Sequence, residues 1–128
     1  MNQGKSQIAE ITETNFNSEV LMSKQPVLVA FLAPWSLACQ IFHSAIEEVA
    51  AVCAESVKIV KVNADNNPDL SMEYNIQAIP TLAYFVDGNL RARVVGTASK
   101  EAILSKLASV LHVNIADAQI RNRRKQTP

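Results

Sequence analysis

The residues of this sequence that are best placed for chemistry are Ser36 and Cys39, which are separated by two residues. They follow an apolar run at 27–32, and a helical pattern begins directly after Ser36. Two cysteines at this spacing would carry thiol–disulfide exchange, because the start of a helix stabilises a thiolate. Serine cannot replace a cysteine in this reaction, since a hydroxyl is far less acidic than a thiol and forms no disulfide. The sequence therefore has the setting for dithiol chemistry and only one of the two sulfur atoms.

Ser36 and Cys39 each have a structural interpretation beside the chemical one. Serine is a preferred helix N-cap, and we favour this role for Ser36 because His43, the nearest histidine, is predicted about two turns along the helix and exposed. Cys39 is either a single reactive thiol or a small apolar residue on the buried helical stripe. Cys53 would lie about 21 Å away along one helix, which excludes a disulfide with Cys39.

Length and composition favour one compact domain. The chain has 128 residues, of which 48% are hydrophobic and 19% charged, and its 12 basic and 12 acidic residues cancel. A neutral chain offers no electrostatic reason to bind nucleic acid or a membrane surface. No apolar run approaches the roughly 18 residues of a membrane helix, and positions 1–10 lack an apolar signal segment. We therefore expect a cytoplasmic protein.

The hydrophobic patterns predict an α/β fold with a central mixed sheet of about five strands and four flanking helices. Strands are predicted at 8–11, 27–32, 57–62, 81–86 and 90–95. Helices are predicted up to Met22, over 37–54, from Pro68, and after Ser99. A strand, a helix and a second strand in this order indicate a parallel βαβ unit, and Asp87-Gly88 indicates a hairpin.

We expect the domain to span 1–112 and a flexible basic tail to span 113–128. The tail contains Arg121, Arg123, Arg124 and Lys125. The alternative is a helical extension that docks on an acidic partner. The histidines and cysteines do not occur at the spacing of metal ligands, so neither a metal site nor a cofactor is predicted.

Five ordered segments resemble the thioredoxin family. They cover about residues 8 to 111 and include a strand that leads to Trp35, the segment 61–65 followed by Asn67-Pro68, Ala78-Ile79-Pro80-Thr81, Asp87-Gly88, and Val95-Gly96. The resemblance implies a thioredoxin fold in which Ser36 occupies the position of the attacking cysteine and Cys39 that of the resolving one. It also implies a cis peptide bond before Pro80. The backbone of Ile79 would then bind an extended peptide by strand addition.

The resemblance assigns substrate binding to Trp35, Leu37, Ala38, Ile79, Pro80 and Gly96. The chain departs from the family pattern at three further places: a buried carboxylate maps to Ala30, a helix-kinking proline to Ser44, and a Gly-Pro pair to Leu37-Ala38. Lys61 would neighbour that carboxylate in the family. With Ala30 in its place, Lys61 is predicted to be solvated and without a partner.

Three functional hypotheses follow for this chain. The preferred one is a redox-inactive or holdase-like module that binds extended or unfolded protein segments. The alternatives are a thioredoxin-type disulfide oxidoreductase whose first active-site cysteine is replaced by Ser36, and a monothiol enzyme that uses Cys39 with an external thiol, including that of a partner protein. The Trp35 and Ile79 face could also serve a homodimer.

Overall fold

A five-stranded sheet forms the centre of the protein in the computed structural model, which describes residues 8–53 and 55–111. Its strands are β1 (Ala9–Ile11), β2 (Val27–Leu32), β3 (Lys58–Asn63), β4 (Thr81–Val86) and β5 (Asn89–Val95). They lie in the order β1-β3-β2-β4-β5. The first three of these are parallel, whereas β4 pairs antiparallel with both β2 and β5. The predicted mixed sheet is confirmed.

Four helical segments flank the sheet, as predicted. They are a π-helical segment (Asn17–Leu21), α1 (Leu37–Cys53), α2 (Pro68–Glu73) and α3 (residues 100–111). The predicted ends of the strands and of α1 differ from the observed ones by one residue at most. The periodicity of the apolar residues was therefore sufficient to place the elements.

The central strand β2 is buried on both faces, which explains its unbroken apolar sequence. Successive side chains of a strand point to opposite faces. Val27, Val29 and Phe31 accordingly join one hydrophobic cluster, while the alternate residues join a second cluster on the other face. A strand of this type can only sit in the middle of a sheet that is covered by helices on both sides.

Helices α1 and α3 cover one face of the sheet. The inward stripe of α1 consists of Cys39, Phe42, Ile46, Val49 and Ala50. From α3, Ile103 and Leu107 enter the same cluster. Each fully buried side chain of this size contributes about 1.5–3 kcal/mol relative to an exposed one. Burial of this stripe fixes the orientation of α1 and thereby the position of its first turn.

The π-helical segment and α2 cover the opposite face. Phe16, Tyr74 and Phe85 contact one another there, with ring centroids 5.5 to 5.8 Å apart. The carboxylate of Glu13 accepts hydrogen bonds from the backbone N–H groups of Asp69 and Leu70, so it caps the start of α2. The N-terminal part of the domain is thus fastened to the segment that follows β3.

The hairpin between β4 and β5 approaches the π-helical segment closely at Gly88. The backbone of Gly88 has a φ of +78°, and a Cβ added there would lie 2.7 Å from the carbonyl oxygen of Leu21. Glycine is the residue that adopts this conformation without steric cost. The predicted Asp87-Gly88 turn is therefore confirmed, and a close backbone contact explains its glycine.

No helix within the described ranges is long and apolar enough to cross a membrane. The predicted tail at 113–128 lies outside the described residues, so the domain boundary near 112 stays a prediction. The site discussed below falls entirely within the described sheet and its flanking segments.

Candidate functional site

Ser36 caps the first turn of α1. Its Oγ accepts a hydrogen bond from the backbone N–H of Cys39 at 3.2 Å, and its carbonyl accepts one from the N–H of Gln40 at 3.0 Å. The side chain is buried, with 8% of Ser36 exposed. The predicted capping bond is therefore present, and it engages the side-chain oxygen of Ser36.

Cys39 is a core residue that also lines a cleft. Only 3% of it is exposed, and it belongs to the inward stripe of α1. Both described cysteines are free thiols. Burial raises the pKa of the Cys53 thiol above its ordinary value, which disfavours its thiolate form near neutral pH. Any thiol chemistry at the start of α1 must therefore use Cys39.

The sheet brings three of the predicted binding segments to one edge. Phe31, near the end of β2, pairs with Thr81 at the start of β4, and Thr81 pairs with Val95 near the end of β5. The segment 33–39 comes after β2, the Ile79-Pro80 loop comes directly before Thr81, and Gly96 comes directly after Val95. The predicted binding residues are consequently neighbours along this edge, which we call the docking face: Trp35, Leu37, Ala38, Ile79, Pro80 and Gly96.

The docking face exposes large apolar groups. Trp35 is 70% exposed, and Leu37, directly beyond the cap, is 68% exposed. The indole Nε1 of Trp35 donates a hydrogen bond to a carboxylate oxygen of Asp65, which fixes the orientation of the ring. Asp65 was not singled out from the sequence, although the parallel pairing of β2 and β3 places the two segments that follow these strands side by side.

The Ile79-Pro80 loop offers backbone groups to a ligand. The Ile79–Pro80 peptide bond is cis, and the Pro80 carbonyl accepts a hydrogen bond from the N–H of Gly96 at 2.8 Å. No hydrogen bond joins the backbone of Ile79 to another described residue. Ile79 is half-buried against the core, so its side chain holds the loop while its N–H and carbonyl stay unused by the fold.

A cleft of about 360 Å³ opens beside Cys39, and Pro34 and Gln40 also line it. Its apolar walls include Leu32, Ala33 and Val62, and its polar groups include Glu10, His43 and Lys61. Neither Trp35 nor the Ile79-Pro80 loop lines it. Cys39 therefore borders a cleft that is formed by the ends of β2 and β3 and the start of α1.

Lys61 and His43 form a contact that corrects two predictions. The Nζ of Lys61 lies 3.3 Å from the Nε2 of His43, and the Nδ1 of His43 lies 3.4 Å from Glu47. A charged lysine can only donate, so Nε2 accepts and the ring proton is assigned to Nδ1. The predictions of a solvated Lys61 and an exposed His43 were wrong. Ala30 pairs with Lys61 in the sheet and has no carboxylate, so the ammonium group reaches across to α1.

Tyr84 is the one described residue with a fully buried side-chain polar atom that lacks a hydrogen-bond partner. It lies in the core cluster that also contains Cys39. Burial raises the pKa of Tyr84 to about 12. Its hydroxyl stays protonated in the folded protein and takes no part in the site. Among the described residues, no three His, Cys, Asp or Glu side chains come together in a way that could hold a metal ion.

Comparison with known proteins agrees with this geometry. The thioredoxin family model matches residues 7–109. The chain is 42% identical to a protein named thioredoxin from Griffithsia pacifica, over 78% of this chain and 92% of that protein. It is 41% identical to thioredoxin 1 from Synechococcus elongatus, over 77% of this chain and 92% of that protein. It is 36% identical to thioredoxin from Mycobacterium tuberculosis, over 84% of this chain and 92% of that protein. With this fold, this edge and these relatives, the chain belongs to the thioredoxin family.

Proposed function

We propose that this protein is a single-thiol member of its family that takes part in thiol–disulfide exchange through Cys39. The observation that carries the proposal is the position of Cys39 at the third residue of α1, with its N–H bonded to Ser36 and with the residue lining a cleft. The relatives carry the plain name thioredoxin. That name favours exchange over the redox-inactive module preferred from the sequence.

The exchange uses one protein sulfur in two steps. The Cys39 thiol loses its proton to water, and the thiolate attacks a substrate disulfide R–S–S–R′. This forms Cys39–S–S–R and releases R′–S⁻, which takes up a proton. An external thiol R″–SH then attacks the mixed disulfide, forms R–S–S–R″ and returns Cys39 to its thiol form. Ser36 cannot supply the second sulfur, so the external thiol is a required reactant.

The substrate of this reaction is a protein segment in extended form, held on the docking face. Trp35 and Leu37 supply exposed apolar area, and Ile79 supplies a backbone donor and acceptor that pair with the segment as in strand addition. Ala38, Pro80 and Gly96 adjoin them along the same edge. Both thiols are free, which fits a reducing compartment, so we also propose a cytoplasmic location.

Binding without exchange is a second candidate function. It is favoured by the burial of Cys39, which is only 3% exposed while Trp35 is 70% exposed. On this hypothesis the docking face holds unfolded segments or a second copy of the chain, and the thiol is a core residue. Sedimentation over a range of concentrations distinguishes the two occupants, because only a homodimer depends on the concentration of this chain alone.

The test uses the Cys53→Ser variant, so that every adduct reports on Cys39. The reduced protein is incubated with a peptide that carries an aromatic disulfide, and intact mass and the released thiol are followed. We expect one adduct and one equivalent of released thiol, reversed by an added small thiol. Retained peptide binding with no adduct would overturn exchange and support the binding module.

The Ser36→Cys variant, which retains Cys39, tests the remaining alternative. On that alternative the protein is a dithiol enzyme whose first sulfur is missing. If the surrounding site is intact, the introduced thiol forms an internal disulfide with Cys39 on oxidation, and the variant reduces insulin with a thiol reductant. Little activity would show that Ala30 and Ser44 also matter, and would leave single-thiol exchange as the function of this chain.

A further inference from the structure

The cleft beside Cys39 has the features of a ligand site distinct from the docking face. Its volume of about 360 Å³ lies at the lower end of the range for small-molecule sites in proteins. Apolar walls with a few polar groups are the usual composition of such sites. The cleft reaches Cys39 without passing Trp35 or the Ile79-Pro80 loop.

We propose that this cleft binds a small thiol, or its disulfide, that carries a carboxylate, with the carboxylate on Lys61 and the sulfur at Cys39. The inference rests on the proposed exchange at Cys39 and names its external thiol. The mixed disulfide on Cys39 would hold a protein segment at the docking face. A resolving thiol that enters through the cleft does not compete with that segment for space.

Charge determines the class of ligand. No ion pair joins Lys61 to a described carboxylate, and its ammonium group is hydrogen-bonded to Nε2 of His43. Lys61 is therefore a cation without a direct ion-pair partner among the described residues, on the wall of a mostly apolar cleft. A carboxylate is the common small-molecule group that would pair with it, and the released thiolate would be stabilised by the same charge.

Glu10 is the opposing group and supplies an internal control. It pairs with Lys61 in the register of β1 and β3 and lines the same cleft, yet it forms no ion pair with Lys61. Its negative charge would weaken the binding of an anion. The remaining charged group near the cleft, Glu47, is engaged by His43 Nδ1. Removing Glu10 and removing Lys61 should therefore act in opposite directions.

The experiment compares three small aliphatic disulfides of different charge on the full chain with Cys53→Ser. They are 3,3′-dithiodipropionate, 2-hydroxyethyl disulfide and cystamine, which are anionic, neutral and cationic. Each step converts Cys39–SH and R–S–S–R into Cys39–S–S–R and R–SH, followed by intact mass. We expect Lys61→Gln to slow the anionic reagent about fivefold, to leave the neutral one unchanged and to accelerate the cationic one.

Three further variants complete the test. Lys61→Arg should restore the preference for the anionic reagent, and Glu10→Gln should accelerate that reagent by about the same factor. Lys24→Met changes the net charge as Lys61→Gln does, at an exposed residue away from the cleft, and should have little effect. Equal rates for all three reagents in every variant would overturn the carboxylate site while exchange at Cys39 still stands. If 2-hydroxyethyl disulfide also formed no adduct with Cys39, the proposed exchange itself would be overturned.

Discussion

The docking face and the Cys39 cleft both adjoin the first turn of α1, and they differ in exposure and in charge. The docking face contains no charged residue and presents two exposed apolar side chains, Trp35 at 70% and Leu37 at 68% exposure. The cleft is small and is lined by Lys61, His43 and Cys39, among others. Between them lies Ser36, whose Oγ is bonded to the helix. The residues proposed for recognition are therefore distinct from those that line the cleft beside the thiol.

The difference bears on the hypothesis that Ser36 occupies the position of an attacking cysteine. A reactive sulfur at position 36 would lie beside the docking face and join the two regions. The hydroxyl of Ser36 instead satisfies a backbone N–H of the first turn, which serves stability. The thiol that remains is 3% exposed and opens toward the cleft. Each region can consequently be tested without disturbing the other.

The largest difference between the two regions is expected from the Cys39→Ala substitution in the Cys53→Ser variant. Adduct formation with every disulfide should disappear, because no thiol remains. Binding of an extended peptide to the docking face should be unchanged, as measured by fluorescence of Trp35. Peptide binding that falls together with the adducts would show that the two regions are one site.

Raising the pH should destabilise the core cluster that contains both Tyr84 and Cys39, and with it the whole domain. Burial raises the pKa of Tyr84 to about 12, from an ordinary value near 10. Above pH 10 the unfolded chain loses this proton while the folded protein retains it, so stability falls as the pH rises from 10 to 12. The fall due to Tyr84 amounts to about 2 kcal/mol. Urea titrations of wild type and Tyr84→Phe measure it, and parallel curves for the two proteins would contradict it.

On the docking face, Trp35→Ala should weaken peptide binding about tenfold, because it removes the largest exposed apolar group of that face. The rate of adduct formation with 2-hydroxyethyl disulfide should stay within a factor of two. Val52→Ala is a suitable control, since Val52 is 61% exposed near the other end of α1. Equal losses in the two variants would mean that peptides bind by general hydrophobic contact.

The smallest effect is expected at the boundary between the regions. Ser36→Ala should lower the free energy of unfolding by about 1 kcal/mol, because the N–H of Cys39 loses its partner. Ser36→Asp should retain the cap, and Ser44→Ala, on the exposed side of α1, should cost little. A urea titration that finds Ser36→Ala as stable as wild type would remove the structural role of Ser36.

Much of this fold could be predicted from the sequence, because apolar periodicity is a local signal. The unbroken run of β2 indicated a central strand, and the spacing from Cys39 to Cys53 indicated the stripe of α1. The docking face followed from the family motifs. The contact between Lys61 and His43 could not be predicted, since it joins a strand to a helix and depends on the methyl group of Ala30 rather than on any local pattern.

The roles of Asp65 and Glu13, by contrast, can be predicted once the order of the strands is known. Each lies in a loop that the sequence placed correctly. Asp65 accepts a hydrogen bond from Trp35, and Glu13 accepts one from the backbone at the start of α2. Their roles depend on which strands are neighbours in the sheet. Once the order β1-β3-β2 is known, both contacts are reasonable expectations, and without it neither residue differs from an ordinary surface acid.

Gly88 has a consequence for engineering of this protein. Its backbone lies against the carbonyl of Leu21, so position 88 has no room for an added side chain. Loop tips usually accept inserted epitopes or fluorophore tags, but this one would have to be lifted away from the chain beneath it. Reporter groups therefore belong at exposed helix positions such as Lys106, where labelling leaves the hairpin seated.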